Sequence, residues 1–306
     1  MHEGSRRAIV AAFLANLGIA LSKLAAFAVT GAASLLAESI HSLADTGNQG
    51  LLFLGGARSK REPTDAHPFG FGRERFFWAF VVALVLFSVG SLFAIYEGIQ
   101  KVITPHELES PGVAFGVLGV AVVLESLSLH TAVREANKVR GPGSWWSFIH
   151  ASKNPELPIV LLEDCAALAG LVFALLGVAA ATATGDPVYD AVGSIAIGLL
   201  LGVVAAVLAI EMKSLLIGEA ASPEMQRSIH DAILGGPEVD RLIHLRTEHL
   251  GPEDLLVAAK IDLSPTADQQ VARAIDRVEA RIRGRVPQAR VIYLEPDEFR
   301  GDHDPY

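Results

Sequence analysis

Apolar residues fill long, nearly unbroken stretches over the first two thirds of the chain, and that pattern stops near residue 213. Stretches able to cross about 30 Å of hydrocarbon lie at 8–29, 35–57, 76–100, 111–133, 158–182 and 188–212, and each predicts a transmembrane helix. From Lys213 onward charges recur every few residues, as in a soluble amphipathic fold. There the pattern predicts a helix over 223–234, strands over 240–248 and 254–263, a helix over 266–284 and a strand over 289–295. Gly251-Pro252 supplies a turn between the first two strands, and Ala272, Ile275, Val278 and Ile282 recur at helical spacing. The order αββαβ suggests a small two-layer α+β domain. The chain is therefore expected to divide into a membrane domain, 1–212, and a C-terminal domain, 213–306. The first apolar stretch is too long for a signal-peptide core and has no convincing cleavage site, so a retained helix is expected.

Lys and Arg set the expected orientation. Links 30–34 and 183–187 carry none, and the link between the third and fourth stretches has only Lys101 at its edge. Link 58–75 carries Arg58, Lys60, Arg61, Arg73 and Arg75, and link 134–157 carries Arg134, Lys138, Arg140 and Lys153, with Arg6 and Arg7 near the start. Both termini are therefore expected in the cytoplasm. No Arg-rich amphipathic transit segment precedes the first stretch, and a bacterial cytoplasmic (inner) membrane fits best.

Composition sharpens this picture. Of 306 residues 51% are hydrophobic and 19% charged, against about a quarter charged in soluble domains, and the same apolar richness excludes disorder. A net charge of −9 offers no basic surface for nucleic acid. A single cysteine, Cys165, rules out an internal disulfide and a thiolate zinc site of the Cys-x-x-Cys kind. Any metal site must use His, Asp, Glu or Asn.

Ionisable residues inside a bilayer are expensive and mark functional sites by default. In the second stretch Glu38, His41 and Asp45 are followed by Asn48 and Gln49. His41 and Asp45 are one turn apart on one face, which can grip a divalent cation. In the fifth stretch Glu163 and Asp164 are adjacent and differ by about 100° around the helix. Two helices giving about two ligands each can close a tetrahedral site. The same residues also suit an interhelical hydrogen bond or buried ion pair, and spacing alone leaves both readings open. Glu125 and His130, five apart, do not share a face, and Glu125 suits a helix-packing partner better than a residue lining the ion path or proton route. Lys23 and Lys101 are expected to snorkel to the interface, and Tyr96 and Glu97 to be interfacial.

The run Ala37-Glu38-Ser39-Ile40-His41-Ser42-Leu43-Ala44-Asp45, followed by His67-Pro68-Phe69-Gly70-Phe71-Gly72-Arg73-Glu74, resembles the cation diffusion facilitator family of zinc transporters. The stretch from His67 to Ile99 and the run Leu161-Leu162-Glu163-Asp164-Cys165 resemble its zinc transporter nine branch. The resemblance implies an α-helical membrane protein with six transmembrane helices and a cytoplasmic αββαβ, ferredoxin-like C-terminal domain. It also implies a homodimeric secondary transporter that exports zinc or a similar divalent cation from the cytoplasm in exchange for protons. Zinc is then the transported substrate, and no cofactor is expected.

His41 and Asp45 fall on the family's second-span ligand pair. The fifth-span pair aligns on Glu156 and Val160, where this sequence departs from the pattern. Asp164, one turn on, takes over that face with Glu163 on its flank, displacing the expected site toward Asn48 and Gln49. The expected metal residues are thus His41, Asp45, Asp164, Glu163 and Asn48. Where relatives bind zinc in the loop after the second span, Phe71 replaces a His, and Asp65 and His67 form an incomplete set, so His67 reads as a loop-structuring residue. In the tail, His244 and His249 lie near ligand positions, but Gln270 and Tyr293 replace their partners, which predicts a metal-poor tail that dimerises. Glu295, Asp297, His303 and Asp304 read as solvated.

Alternatives follow from the same residues. Oxygen-rich ligands move preference toward manganese, iron or cobalt. An intramembrane metalloenzyme is disfavoured because no His-Glu-x-x-His helix occurs, and Cys165 in an apolar span is expected to be inert. A membrane-anchored scaffold is disfavoured by carboxylates buried in two separate spans.

Overall fold

The computed structural model describes residues 3–105, 110–141, 143–265 and 270–299. The chain divides into two compact units, Met1–Gly56 with Phe77–Met212, and Ala57–Phe76 with Lys213–Tyr306.

The helical part contains α1 (Glu3–Thr30), α2 (Ala33–Arg58), α3 (Glu74–Val85), α4 (Leu92–Ile103), α5 (Pro111–Arg140), α6 (Trp145–Ala151), α7 (Glu156–Thr184) and α8 (Val188–Ile217). A π-helical stretch, Leu86–Ser91, joins α3 to α4. Among the described residues four rods are long and apolar enough to cross a membrane: Glu74–Ile103, Pro111–Arg140, Glu156–Thr184 and Val188–Ile217. The described apolar part of α1, Leu17–Thr30, is shorter. α2 has the length, but Glu38, His41, Asp45, Asn48 and Gln49 lower its hydropathy, which is the signature of a helix with polar work to do inside the bundle.

The helix ends follow local chemistry. Gly31 adopts φ 64° between α1 and α2, a left-handed conformation that glycine adopts without steric penalty. Gly185 adopts φ 73° after α7 and donates its N–H to Ala181 O at 2.9 Å, as a left-handed C-terminal cap does. α4 and α8 meet through glycines: a Cβ on Gly98 would lie 2.8 Å from Ala191 O, and one on Gly198 2.8 Å from Ser91 O. Ser91 Oγ, at the end of the π-helical stretch, donates to Gly198 O at 2.8 Å. Short α6, capped by Ser144 Oγ accepting from Ser147 N at 3.0 Å, lies in a segment that hydropathy marks only as a link. α5 and α7 pack through Ala132, Ala136 and Leu161.

In the second unit α9 (Pro223–Ile233), β1 (Val239–Gly251), β2 (Asp254–Leu263), α10 (Val271–Arg285) and β3 (Ala289–Pro296) follow in the order expected. The sheet runs β1-β2-β3, with β1 and β2 antiparallel across the Gly251 turn and β2 and β3 parallel through α10. Strand alternation turns Leu255, Val257, Ala259 and Ile261 to one face, where they are buried against Ile229 and Ile233 of α9 and Val278 and Ile282 of α10. Residues 57–76 belong to this unit. Thr64 and His67 form a bridge, the His67 ring packs 4.6 Å from the Phe71 ring, and Arg73 pairs with Glu248. A Cβ on Gly72 would meet Leu250 O at 2.6 Å, so this loop needs glycine to approach the end of β1.

Candidate metal site

Helical periodicity places Glu38, His41, Ser42, Asp45 and Asn48 along one side of α2, and the bundle buries them. Glu38, His41 and Asn48 are all 0% exposed. α1 supplies Lys23, α5 supplies Glu125 and Ser128, and α7 supplies Glu163 and Asp164.

His41 Nδ1 lies 3.5 Å from Asp45 Oδ1. Asn48 Nδ2 donates to Glu163 Oε1 at 2.8 Å, and Ser128 Oγ donates to Asp164 Oδ2 at 3.0 Å. Lys23 Nζ donates to Ser42 Oγ at 2.7 Å and to Glu38 Oε2 at 3.2 Å, and stands 4.0 Å from Glu125 Oε1. Ser42, Asp45, Gln49, Glu125, Val160, Glu163 and Asp164 line a narrow cleft.

This brings together the residues that the sequence singled out on α2 and α7. Although adjacent on α7, Glu163 and Asp164 both border the cleft, because Glu163 turns to Asn48 on α2 while Asp164 turns to Ser128 on α5. Val160, one turn before Asp164, borders it too, whereas Glu156 is not among its walls.

The cluster is under-bonded. Glu38 Oε1, both ring nitrogens of His41, Asp45 Oδ1 and Asn48 Oδ1 are buried without a hydrogen-bond partner. Each such atom costs about 1–3 kcal/mol when left unmade. Imidazole nitrogen and carboxylate oxygen are the donors a divalent cation takes, so the unmade bonds are of the kind a metal substrate would complete. Among the described residues no three His, Cys, Asp or Glu side chains are close enough to enclose an ion in this arrangement. For these residues to enclose an ion, the side chains of α2 and α7 would have to close across the cleft.

Two expectations are overturned. Lys23 and Lys101 do not snorkel: Lys23 is 0% and Lys101 6% exposed. Each finds a buried carboxylate, Glu38 for Lys23 and Asp190 for Lys101, at 3.2 Å in both cases, and Lys101 also donates to Gly31 O at 2.6 Å. Pairing inside the bundle removes the reason to reach for the interface. Asp190 itself was missed, since an Asp beside Asp186 at a span end reads as solvated; it is 0% exposed. Glu125, for which the sequence leaves an ion-path role and a helix-packing role both open, faces both Lys23 and the cleft.

Other candidates are placed apart from the cleft. His130 is exposed and not brought to Glu125, and Cys165 is exposed. His67 structures its loop, as expected, and Asp65 is exposed. In the tail His249 is buried and His244 half-buried. Asp297, expected to be solvated, pairs with Lys260 at 3.1 Å, while Glu295 stays largely exposed at 3.3 Å from the same ammonium. His303 and Asp304 lie outside the described residues.

Residues 9–217 match the family model described as the cation efflux transmembrane domain. The chain is 31% identical over 262 residues to the human "Proton-coupled zinc antiporter SLC30A9, mitochondrial", covering 85% of this chain and 46% of that protein. It is 32% identical over 264 residues to "Metal tolerance protein C4" of Arabidopsis thaliana, covering 86% and 58%. It is 24% identical over 289 residues to "Magnetosome protein MamB" of Paramagnetospirillum magneticum, covering 92% and 90%. The chain spans about half the length of the antiporter it matches.

Proposed function

The chain belongs to the cation efflux family, and on that premise we propose that it is a secondary active transporter that exports divalent metal cations, zinc foremost, from the cytoplasm in exchange for protons. It is a multi-pass membrane protein. The reading adds α1 and α2 to the four apolar rods, giving six spans with both termini cytoplasmic in a bacterial inner membrane. Residues 1–212 form the transport domain. Residues 213–306 form a ferredoxin-like domain that joins two copies in a homodimer.

The observation that carries the proposal is the buried, unbonded imidazole of His41 behind Asp45, whose carboxylate lines a cleft shared with Glu163 and Asp164. A cation shedding water needs such donors to enter hydrocarbon depth. His41, Asp45 and Asp164 bind it, with Glu163 and Asn48 completing the shell. Closing α2 toward α7 gathers the ligands, and opening on the other side releases the ion. A ligating imidazole must be deprotonated, so protons compete for the same groups and exchange with the metal is built into the ligand chemistry. The proposal is a transporter and not an enzyme.

The test is metal-stimulated proton flux in proteoliposomes with zinc, manganese, cobalt and cadmium. Zinc-dependent flux lost in Asp164→Asn is the expected result; no flux with any ion would favour a scaffold. One observation favours a second reading. Four carboxylates, Asp45, Glu125, Glu163 and Asp164, line the cleft against one imidazole behind it, and oxygen-rich sites suit manganese and other harder ions. Flux ranked manganese over zinc would select it.

A further inference from the structure

The cation that meets the carboxylates of this bundle is already in place. Lys23 projects from α1 with its side chain fully buried. Its ammonium reaches Ser42 Oγ at 2.7 Å, Glu38 Oε2 at 3.2 Å and Glu125 Oε1 at 4.0 Å. Two carboxylates and a hydroxyl, drawn from α2 and α5, surround one positive charge, which is the donor set of an oxygen-ligated cation. Ser42 and Glu125 also line the cleft. The second oxygen of Glu38 is buried and unbonded, and α7 is cut away beside it, since a Cβ on Gly170 would collide with that oxygen.

We propose that Lys23 is a tethered cation filling what would otherwise be a second cation position, so that each chain takes one divalent ion at a time. The inference rests on the transport reading above. Without the ammonium, Glu38 and Glu125 would stand unpaired in low dielectric, which is strongly unfavourable, and a mobile cation would be drawn in to replace it. Because Ser42 and Glu125 border both positions, an ion held there would sit beside the cargo. Lys23 thus keeps Glu38 and Glu125 out of the cargo's ligand shell and leaves the cleft to His41, Asp45 and Asp164.

The experiment is isothermal titration of the purified full-length protein in detergent with zinc, alongside proteoliposome flux. The wild type is expected to saturate at one ion per chain. Lys23→Ala, which vacates the position, is expected to take two. Ethylammonium, which restores the missing headgroup, is expected to return it to one. Lys23→Ala/Glu38→Gln/Glu125→Gln, which removes the ligands, is also expected to take one. A folded Lys23→Ala that saturates at one ion overturns the inference, as does ethylammonium that leaves the second ion bound. Should Lys23→Ala fail to fold, the wild type decides: saturation at one ion up to high zinc supports the tethered cation, and a second ion overturns it. A wild type with neither zinc binding nor flux fails the transport reading itself, a result separate from any change in stoichiometry.

Discussion

The Asp190 carboxylate at the start of α8 accepts the backbone N–H of Ala33 at 2.7 Å, so a residue of the last membrane helix caps the helix that carries His41 and Asp45. Its other oxygen accepts from Ser34 N at 3.4 Å and from the Ser34 hydroxyl. The ammonium of Lys101 lies 3.2 Å away and also holds Gly31 O. Three chain segments, Gly31–Ser34, Lys101 and Asp190, are thereby tied at one end of α2, two turns from His41. A carboxylate suits that place because it meets orphan N–H groups and the positive end of the helix dipole.

Removing one partner of this buried pair leaves the other uncompensated. Asp190→Ala is expected to lose about 3–5 kcal/mol of stability, read as a fall in the thermal unfolding midpoint in detergent. Asp190→Ala/Lys101→Met, which removes both charges, is expected to recover part of it. A double variant no more stable than the single would mean that the cap, not the ion pair, carries the effect.

Asp45 faces the cleft without a hydrogen bond to one of its oxygens, so its loss should damage transport more than folding. Asp45→Ala is expected to abolish metal-driven proton flux, by about 100-fold or more, with an unchanged gel-filtration profile. Full activity in this variant would remove Asp45 from the ligand set.

Asp164 is held by Ser128. Ser128→Ala should leave the carboxylate in place but less fixed, with a fall in apparent metal affinity of about 10-fold, while Asp164→Asn should lose flux outright. If Asp164→Asn transports normally, the ligand on α7 is Glu163, and Glu163→Gln becomes the inactive variant.

The crossing of α4 and α8 has no room for a side chain at Gly198. Gly198→Val should push against Ser91 O and Ile95 and destabilise the protein by about 1–3 kcal/mol, the usual range for overpacking, measurable by thermal unfolding. Gly116→Ala, which meets nothing within 4 Å, is the neutral control.

In the tail, Glu238 is buried to 6% side-chain exposure between Arg277 at 2.6 Å and Arg281 at 2.9 Å. Burial alone would raise its carboxyl, but the two guanidinium groups outweigh that and hold it below the ordinary value of 4.5. The ionised form is thus favoured by folding. Its contribution is fully present above that ordinary value and is lost as pH falls through the lower native one. The protection of the β1 and β2 amides against hydrogen exchange in the full chain, taken relative to the intrinsic exchange rate at each pH, is expected to fall on acidification below about pH 4.5. Glu238→Gln should lose about 2 kcal/mol at neutral pH and weaken that acid response.

The sequence by itself determined the long apolar helices, the αββαβ order of the tail and the residue types available for a metal. Hydropathy and strand alternation depend on local spacing, which the chain order records directly. It also placed His41, Asp45, Asn48, Glu163 and Asp164 as candidates, because charge inside an apolar run is conspicuous. It did not record partners. Lys23 and Glu38 lie in different spans, as do Lys101 and Asp190, and nothing in their spacing along the chain marks either pair as partners. Ser128, Glu125 and Gly170 likewise acquire their roles only when α5 and α7 pack against α2. Which charges are neutralised and which stay unbonded toward the cleft is a matter of distances between helices, and those are set by tertiary packing and not by spacing along the chain.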